Sequence, residues 1–327
     1  MMLRCFSVFL LIGWMFGCAS SDVEAMGADS GTSGTDAGRD AGHDAGQDAG
    51  TMDSAVPSDA GSEAGTDAAS DAGSSADAGS VVVPVYYVSE TDLGVRLFRE
   101  FRRVAASADA VHAAVEAMLH LPPLDPDFIS LWPSGTSINS IEVVGAMATV
   151  DLSSDALTPV LGAEAEGQTL EQLVYTITAT NNTITSVLLL IDGESIESLW
   201  GHVDTSGPMT RGARLAVLAP VWIIDPQHGD ERSVLNVQGD ATVFEGVVSW
   251  RIERACLIAG CSDTPFTMDG TAMADAGGPG RGLWSVDITL PEAAFDGDAL
   301  LKLSAWEASA EDGHPMHIDT KIIHVTP

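Results

Sequence analysis

Residues 19–80 are built almost only from Ala, Asp, Gly, Ser and Thr, and this stretch decides where a folded body can form. DAGRDAGHDAGQDAG at 36–50 is a near-perfect four-residue repeat. Such a segment lacks the apolar side chains whose burial offsets ordering entropy, so it is expected to be disordered. A Gly-rich chain of about 60 residues has an end-to-end distance on the order of 40–45 Å, more where like charges extend it. The expected role is a passive spacer. Asp at every fourth position lacks the D-x-D-x-D-G spacing and closing Glu of a calcium loop. His43 is a lone, solvated histidine within the repeat. A core must therefore come from residue 81 onward.

The segment before the spacer has a different character. Residues 5–16 are almost wholly apolar, with Arg4 just ahead of them. A run of about 12 residues is too short to span a bilayer, which takes about 20, but it has the length of a signal-peptide core. Gly17-Cys18-Ala19-Ser20 follows and resembles the bacterial lipobox, in which a small residue precedes a cysteine that is diacylated before cleavage. The resemblance implies a signal peptide over 1–17, lipid attachment at Cys18 and a lipidated linker over 18–80. Met15 and Phe16 are bulkier than lipobox residues usually are, and an ordinary secretory peptide cut near Ala19 is the alternative. Ala19, where Asp would retain a lipoprotein at the inner membrane, implies sorting to the outer membrane in a Gram-negative cell. The expected location is exported, with the membrane as first partner through the anchor.

The formal net charge is −33. The spacer carries thirteen acids against Arg39, and residues 81–327 carry 34 acids and 12 bases. No basic stripe exists, which argues against a nucleic-acid partner. The acidity keeps the molecule soluble and off anionic surfaces without bearing on the fold.

From Val81 the pattern becomes that of a packed protein. VVVPVYYV reads as a strand, and 97–105 as a second extended stretch. Val111, Val115, Met118 and Leu119 recur at helical spacing within 109–120, with Ser107 or Asp109 to cap the start and LPPLDP at 121–126 to stop it. Residues 137–144 and 146–152 read as strands of a hairpin turning at Gly145. A second amphipathic helix spans 164–180, followed by an apolar strand over 184–191, a turn at Asp192-Gly193, and a linker around Gly207-Pro208. From Arg214 on, LAVLAPVWII, LNVQGDATVF, GVVSWRIERACLI, GLWSVDITL, LLKLSAWEAS and HIDTKIIHV alternate between Gly, Asp and Pro breaks. Six or seven short strands over about 110 residues suit an immunoglobulin-like sandwich.

The order of these elements resembles the GerMN domain of sporulation and spore-germination proteins. VPVYYV, AVHAAVEAML, LWPSGTSINSIEVVGAMATVDLS, TLEQLVYTITAT and SVLLLIDGES carry the resemblance over 81–211. The turn LPPLDP departs from it, since family members usually show a Gly-Pro pair there. Residues 214–327 resemble the immunoglobulin-like Gmad domain that often follows GerMN, on APVWIIDPQHGDERSVLNVQGDATVFEGVVSWRI, LWSVDITL and LKLSAWEASAEDGHPMHIDTKIIHV. The resemblance implies an α/β domain similar to ring-building domains of sporulation channels, then an all-β sandwich. Self-association of the first domain is a further implication.

Candidate chemistry is sparse. Cys256 and Cys261 are close in the chain, and in an exported protein this favours a disulfide. His314 and His317 form an H-x-x-H, but strand alternation would put them on opposite faces, so no metal is expected. No G-x-S-x-G elbow, H-E-x-x-H or phosphate loop occurs, and neither catalysis nor a cofactor is expected. Glu245 in F-E-G is read as a sandwich contact or a partner contact. Trp222 and Trp306 are the aromatics proposed for a ligand surface, while Trp250 and Trp284 read as core. The expected function is non-catalytic interaction or assembly with envelope proteins, the alternative being a module that binds peptidoglycan or another glycan. Cells fed a fatty-acid analogue are expected to label the wild-type chain and not Cys18→Ala. Label that survives the substitution, or none on the wild type, removes the anchor.

Overall fold

The computed structural model describes residues 79–105, 109–255, 266–295 and 299–327. The signal peptide, Cys18, most of the spacer, Ser107, Cys256 and Cys261 lie outside the described residues.

The first half is α/β. Strands β1 (Ser80–Thr91) and β2 (Gly94–Ala105) form one long antiparallel hairpin, turning at Asp92-Leu93. Helix α1 (Ala110–His120) begins where Asp109 accepts the Val111 N–H at 2.9 Å, the side-chain cap the sequence suggested. Its Val111, Val115, Met118 and Leu119 are all buried. Strands β3 (Ile138–Val144) and β4 (Met147–Leu152) make the expected hairpin, with Gly145 supplying a φ of +60°. Helix α2 (Ala163–Thr180) then crosses over to β5 (Ser186–Ile191), which pairs parallel to β4. Asp192 (φ +49°) and Gly193 (φ +81°) turn the chain into the two-residue strand β6 (Glu194–Ser195). Asp151 secures that turn by accepting the Gly193 N–H at 2.9 Å.

The stretch read as a linker is fixed. Val187 and Met209 exchange two backbone hydrogen bonds, of 2.7 and 2.8 Å, extending the sheet past Gly207-Pro208. Arg211 donates to Thr178, and Glu171 accepts the Gly212 N–H at 3.0 Å, so the segment lies along α2. Residues 214–217, read as the start of a strand, form a short helix α3 (Arg214–Val217). The helical turn redirects the chain so that Leu218 bridges Leu97 and Ala219 donates to the Leu97 carbonyl at 3.0 Å.

The second half is a β-sandwich. Its strands are β7 (Val221–Asp225), β8 (Glu231–Arg232), β9 (Leu235–Ala241), β10 (Val247–Arg254), β11 (Thr267–Met273), β12 (Gly282–Ile288), β13 (Leu300–Ala308) and β14 (Pro315–Val325). One sheet runs β11-β10-β13-β14-β8 and the other β12-β9-β7. Each sheet places a tryptophan opposite a glycine: Trp250 across from Gly270, and Trp284 across from Gly239. A Cβ on either glycine would collide with the facing indole. The missing side chains leave each ring its seat over the neighbouring strand.

All described residues belong to one compact unit, and the two halves share a buried seam. Trp222 of β7 packs with the first half's core, edge-on to Tyr86 at 6.3 Å and tilted against Phe98 at 6.4 Å. Arg281 covers its outer ring face at 4.0 Å and pairs with Asp240 at 2.9 Å. Gln227 makes a two-way contact with the Phe101 backbone, at 2.6 and 3.0 Å. At the centre, Lys321 Nζ donates to Asp125 Oδ2 at 2.7 Å and to Asp319 Oδ1 at 2.8 Å. The turn carrying Asp125 is held by Glu100, whose carboxylate accepts the Leu124 and Asp125 N–H groups, each at 2.9 Å, and pairs with Arg102 at 3.1 Å. Burial pushes the Asp319 carboxyl above its usual range, with Lys321 opposing. Burial works against the Lys321 charge, but Asp319 and Asp125 outweigh it and raise its pKa. A raised ammonium pKa contributes stability that is fully present below the unfolded value of about 10.4 and is lost only as pH rises through the folded value.

Lys321→Met removes the ammonium from between two buried carboxylates, leaving only His228, 3.7 Å from Asp125, beside them, and is expected to lower stability by about 3–5 kcal/mol at neutral pH. Burial raises the Asp319 carboxyl and Lys321 no longer opposes it, so Asp319 holds its proton more tightly folded than unfolded and the deficit narrows as pH falls toward about 4. Urea unfolding across pH reads this, and a deficit that ignores pH contradicts the buried charges. Gly239→Ala is expected to lose about 1–3 kcal/mol by overpacking. With Trp284→Leu already in place, the same change is expected to do little.

Candidate functional site

A cleft of about 580 Å³ opens along the seam. One wall is the end of β1 and the start of β2, from Val88 to Val95; a second is 127–131, after α1; the third is 318–320 of β14. Val88 and Ile129 bind each other through two backbone hydrogen bonds, at 2.9 and 2.8 Å, and Ser89 donates to the Asp127 carbonyl at 2.9 Å. These bonds fix the 127–131 segment against β1. At the base, the Phe98 and Phe128 rings stack at 4.6 Å, and Lys321 Nζ lies 4.4 Å from the Phe128 centroid.

The third wall depends on a bulge. Ala305 pairs with Asp319 and Glu307 with Met316, so β14 has one more residue than β13 between the two pairs. His317 takes a φ of +56° there, a region that favours glycine. Its Nδ1 lies 2.8 Å from Asp92 in the β1–β2 turn, and its N–H donates to the same carboxylate at 3.3 Å. His317 is thus tied across the seam, while His314 is exposed near Asp312. Beyond the bulge, Asp319, Lys321, Ile323 and Val325 all point inward. Ile318 points out and is 51% exposed, with Ile129 at 54% across the cleft mouth.

The lining carries Glu90, Asp127 and Asp319 and no basic residue. Asp319 is consumed by the seam, since its other oxygen accepts the Ile223 N–H at 2.7 Å. Glu90 and Asp127 are exposed, and among the described residues neither carboxylate has a cationic partner.

The residues singled out from sequence do not assemble into this cleft. Trp222, proposed for a ligand surface, is only 2% exposed: it is the seam's own aromatic plug, closed in by Tyr86, Phe98 and Arg281. Trp306 is half-buried on β13, and Arg251 sits over its ring at 5.7 Å. Trp250 and Trp284 are buried in the sandwich. Glu245 is exposed at a φ of +55°, in a tight turn that also exposes Phe244. The lipid-attachment Cys18 and the pair Cys256 and Cys261 fall outside the described residues. Of the segments quoted from the sequence, VPVYYV supplies Val88 to the lining, HIDTKIIHV supplies Ile318, Asp319 and Thr320, and LPPLDP, the turn that departs from the GerMN pattern, ends just before Asp127. That turn carries Asp125 into the seam.

Among the described residues no helix is long and apolar enough to cross a membrane. Residues 84–197 match the family described as sporulation and spore germination. Residues 220–314 match the immunoglobulin-like domain of bacterial spore germination. No curated protein matches the chain. Solved structures similar to parts of it include a Clostridium perfringens protein described as a lipoprotein, at 22% identity over 42% of this chain and 91% of that one, with a TM-score of 0.30. The first GerMN domain of the sporulation protein GerM from Bacillus subtilis is 18% identical over 40% of this chain and 98% of its own, with a TM-score of 0.34. The tandem GerMN domains of the same protein are 14% identical over 67% of this chain and 65% of theirs, with a TM-score of 0.34. The chain thus carries, in order, a sporulation and spore germination domain and an immunoglobulin-like domain of bacterial spore germination.

Proposed function

We propose that this chain is a lipid-anchored cell-envelope protein that acts without catalysis, by docking protein partners on a body built from both domains. The observation that carries this reading is the seam. Lys321, Trp222 and Gln227 of the second half are each bound by the first, so the two domains present one continuous surface with a cleft at their junction. Domain junctions are common places for recognition sites. The cleft lining offers hydroxyls and carboxylates but no histidine, lysine or cysteine to activate them, which favours recognition over chemistry. In the same reading, the boundary between residues 211 and 214 is a splice between packed elements rather than a hinge. Cys18 and the spacer hold this body near the membrane, and a second copy of the chain is one candidate partner.

The alternative is a glycan binder. Sugar rings stack on open aromatic faces, and Trp222 offers none. Trp306 has a cation over its ring. These placements favour the protein-interaction reading. The full chain is expected to pass over purified sacculi without retention and to yield protein crosslinks in cells when photoreactive groups are placed on its surface. Retention on sacculi that disappears with Trp306→Ala would reverse the order of the two readings.

A further inference from the structure

We infer that the seam cleft receives a peptide segment in which an apolar side chain is flanked by Lys or Arg. The inference rests on the protein-interaction reading and names the chemistry of the partner. Three observations converge on it.

The first is shape. The cleft is concave, about 580 Å³, and walled by β1–β2, by the segment after α1 and by β14. It is therefore complete only when both domains are docked. The second is the placement of Ile129 and Ile318. Both are more than half exposed at the mouth, although each sits beside residues that are buried. Ile318 is put there by the bulge, which requires His317 to hold an unfavourable backbone angle and Asp92 to bind it from across the seam. Bulges commonly re-aim side chains beside functional sites. An apolar side chain entering between the two isoleucines would remove both from water.

The third is charge. Glu90 and Asp127 rim the same cleft from two different segments, with no cationic partner among the described residues and no basic residue in the lining. Lys321 is committed beneath the floor to Asp125, Asp319 and the Phe128 ring, and Arg96, next to the lining, turns its guanidinium to the Val95 carbonyl at 2.8 Å. An anionic lipid headgroup would meet only carboxylates among the charged residues of the lining, and a glycan would find no open aromatic face there. A peptide with basic residues on either side of an apolar one satisfies both the rim and the mouth. Such complementarity selects partners more than it adds raw affinity.

The full chain in nonionic detergent micelles, titrated against short fluorescent peptides, tests this, with empty micelles as blank. A peptide alternating Lys and Val is expected to bind. One alternating Lys and Ser is expected to bind about tenfold more weakly, and one alternating Glu and Val not at all. Glu90→Lys with Asp127→Lys is expected to weaken the Lys-Val peptide about tenfold, and Ile129→Ser with Ile318→Ser to weaken it similarly. Glu142→Lys with Glu194→Lys makes the same charge change on exposed positions of the other sheet and is expected to leave binding unchanged. Equal loss from both charge-reversal pairs, or equal binding of the Lys-Ser peptide, would overturn the cleft assignment in favour of general attraction to an acidic surface. Protein crosslinks in cells from Val234 or Phe244 together with cleft variants that do nothing would also overturn it, while leaving the protein-interaction reading in place. Retention on sacculi with no protein crosslinks from any face would remove the reading on which it rests.

Discussion

Lys321 is the group on which the arrangement of the molecule depends. It leaves water to sit between Asp125 of the first domain and Asp319 of its own strand, at 2.7 and 2.8 Å. Burying three ionisable groups is expensive, and their mutual attraction offsets that expense only when the remaining hydrogen-bonding positions are filled. Here they are. Asp319 accepts the Ile223 N–H, Asp125 accepts the Asp127 N–H at 3.1 Å, and the ammonium faces the Phe128 ring. Against a hydrocarbon seam of the same volume the gain is small. Its larger effect is on the alternatives, because any other docking of the sandwich leaves at least one charge buried without a partner.

That constraint propagates to the cleft. Asp319 and Lys321 reach the seam only if β14 is in the phase that points them inward, and the bulge at His317 sets that phase. The same phase turns Ile318 outward, so the buried ion cluster and the exposed apolar mouth are two faces of one strand. Asp92 holds the bulge from the β1–β2 turn, while Glu100 on β2 holds the turn that presents Asp125. The first domain thus supplies the partners at both ends of the arrangement.

Much of the fold was legible from the sequence because its signals are local. The α1 and α2 periodicities, the Asp109 cap, the Gly145 hairpin and the Asp192-Gly193 turn each depend on residues a few positions apart. What failed depends on distant packing. The alternation in VWII says that Trp222 faces one side of a strand, but not that another domain covers it. Residues 214–217 alternate well enough to read as strand, yet they curl into α3 because the next residues must run along Leu97. Strand β11 carries little signal in the sequence because it lies at a sheet edge, largely exposed, with Gly270 where Trp250 needs room. The candidate cleft was the least legible part, since Asp125 and Lys321 are 196 residues apart in the chain.

The overall acidity invites an explanation of partner choice by long-range attraction, and the physics argues for a shorter range. At physiological ionic strength charges separated by more than about 8 Å in solvent are largely screened. Most of the carboxylates counted in the net charge of −33 therefore act on solubility and on encounter rate, with little say in which partner stays bound. Discrimination falls to charges that touch the partner where water is being displaced. Glu90 and Asp127 stand beside apolar surface at a junction that exists only when both domains are docked, and carboxylates scattered over an open face do not share that setting. A partner read there is read by both domains at once, which is a physical reason for the chain to spend a buried ion cluster on holding them together.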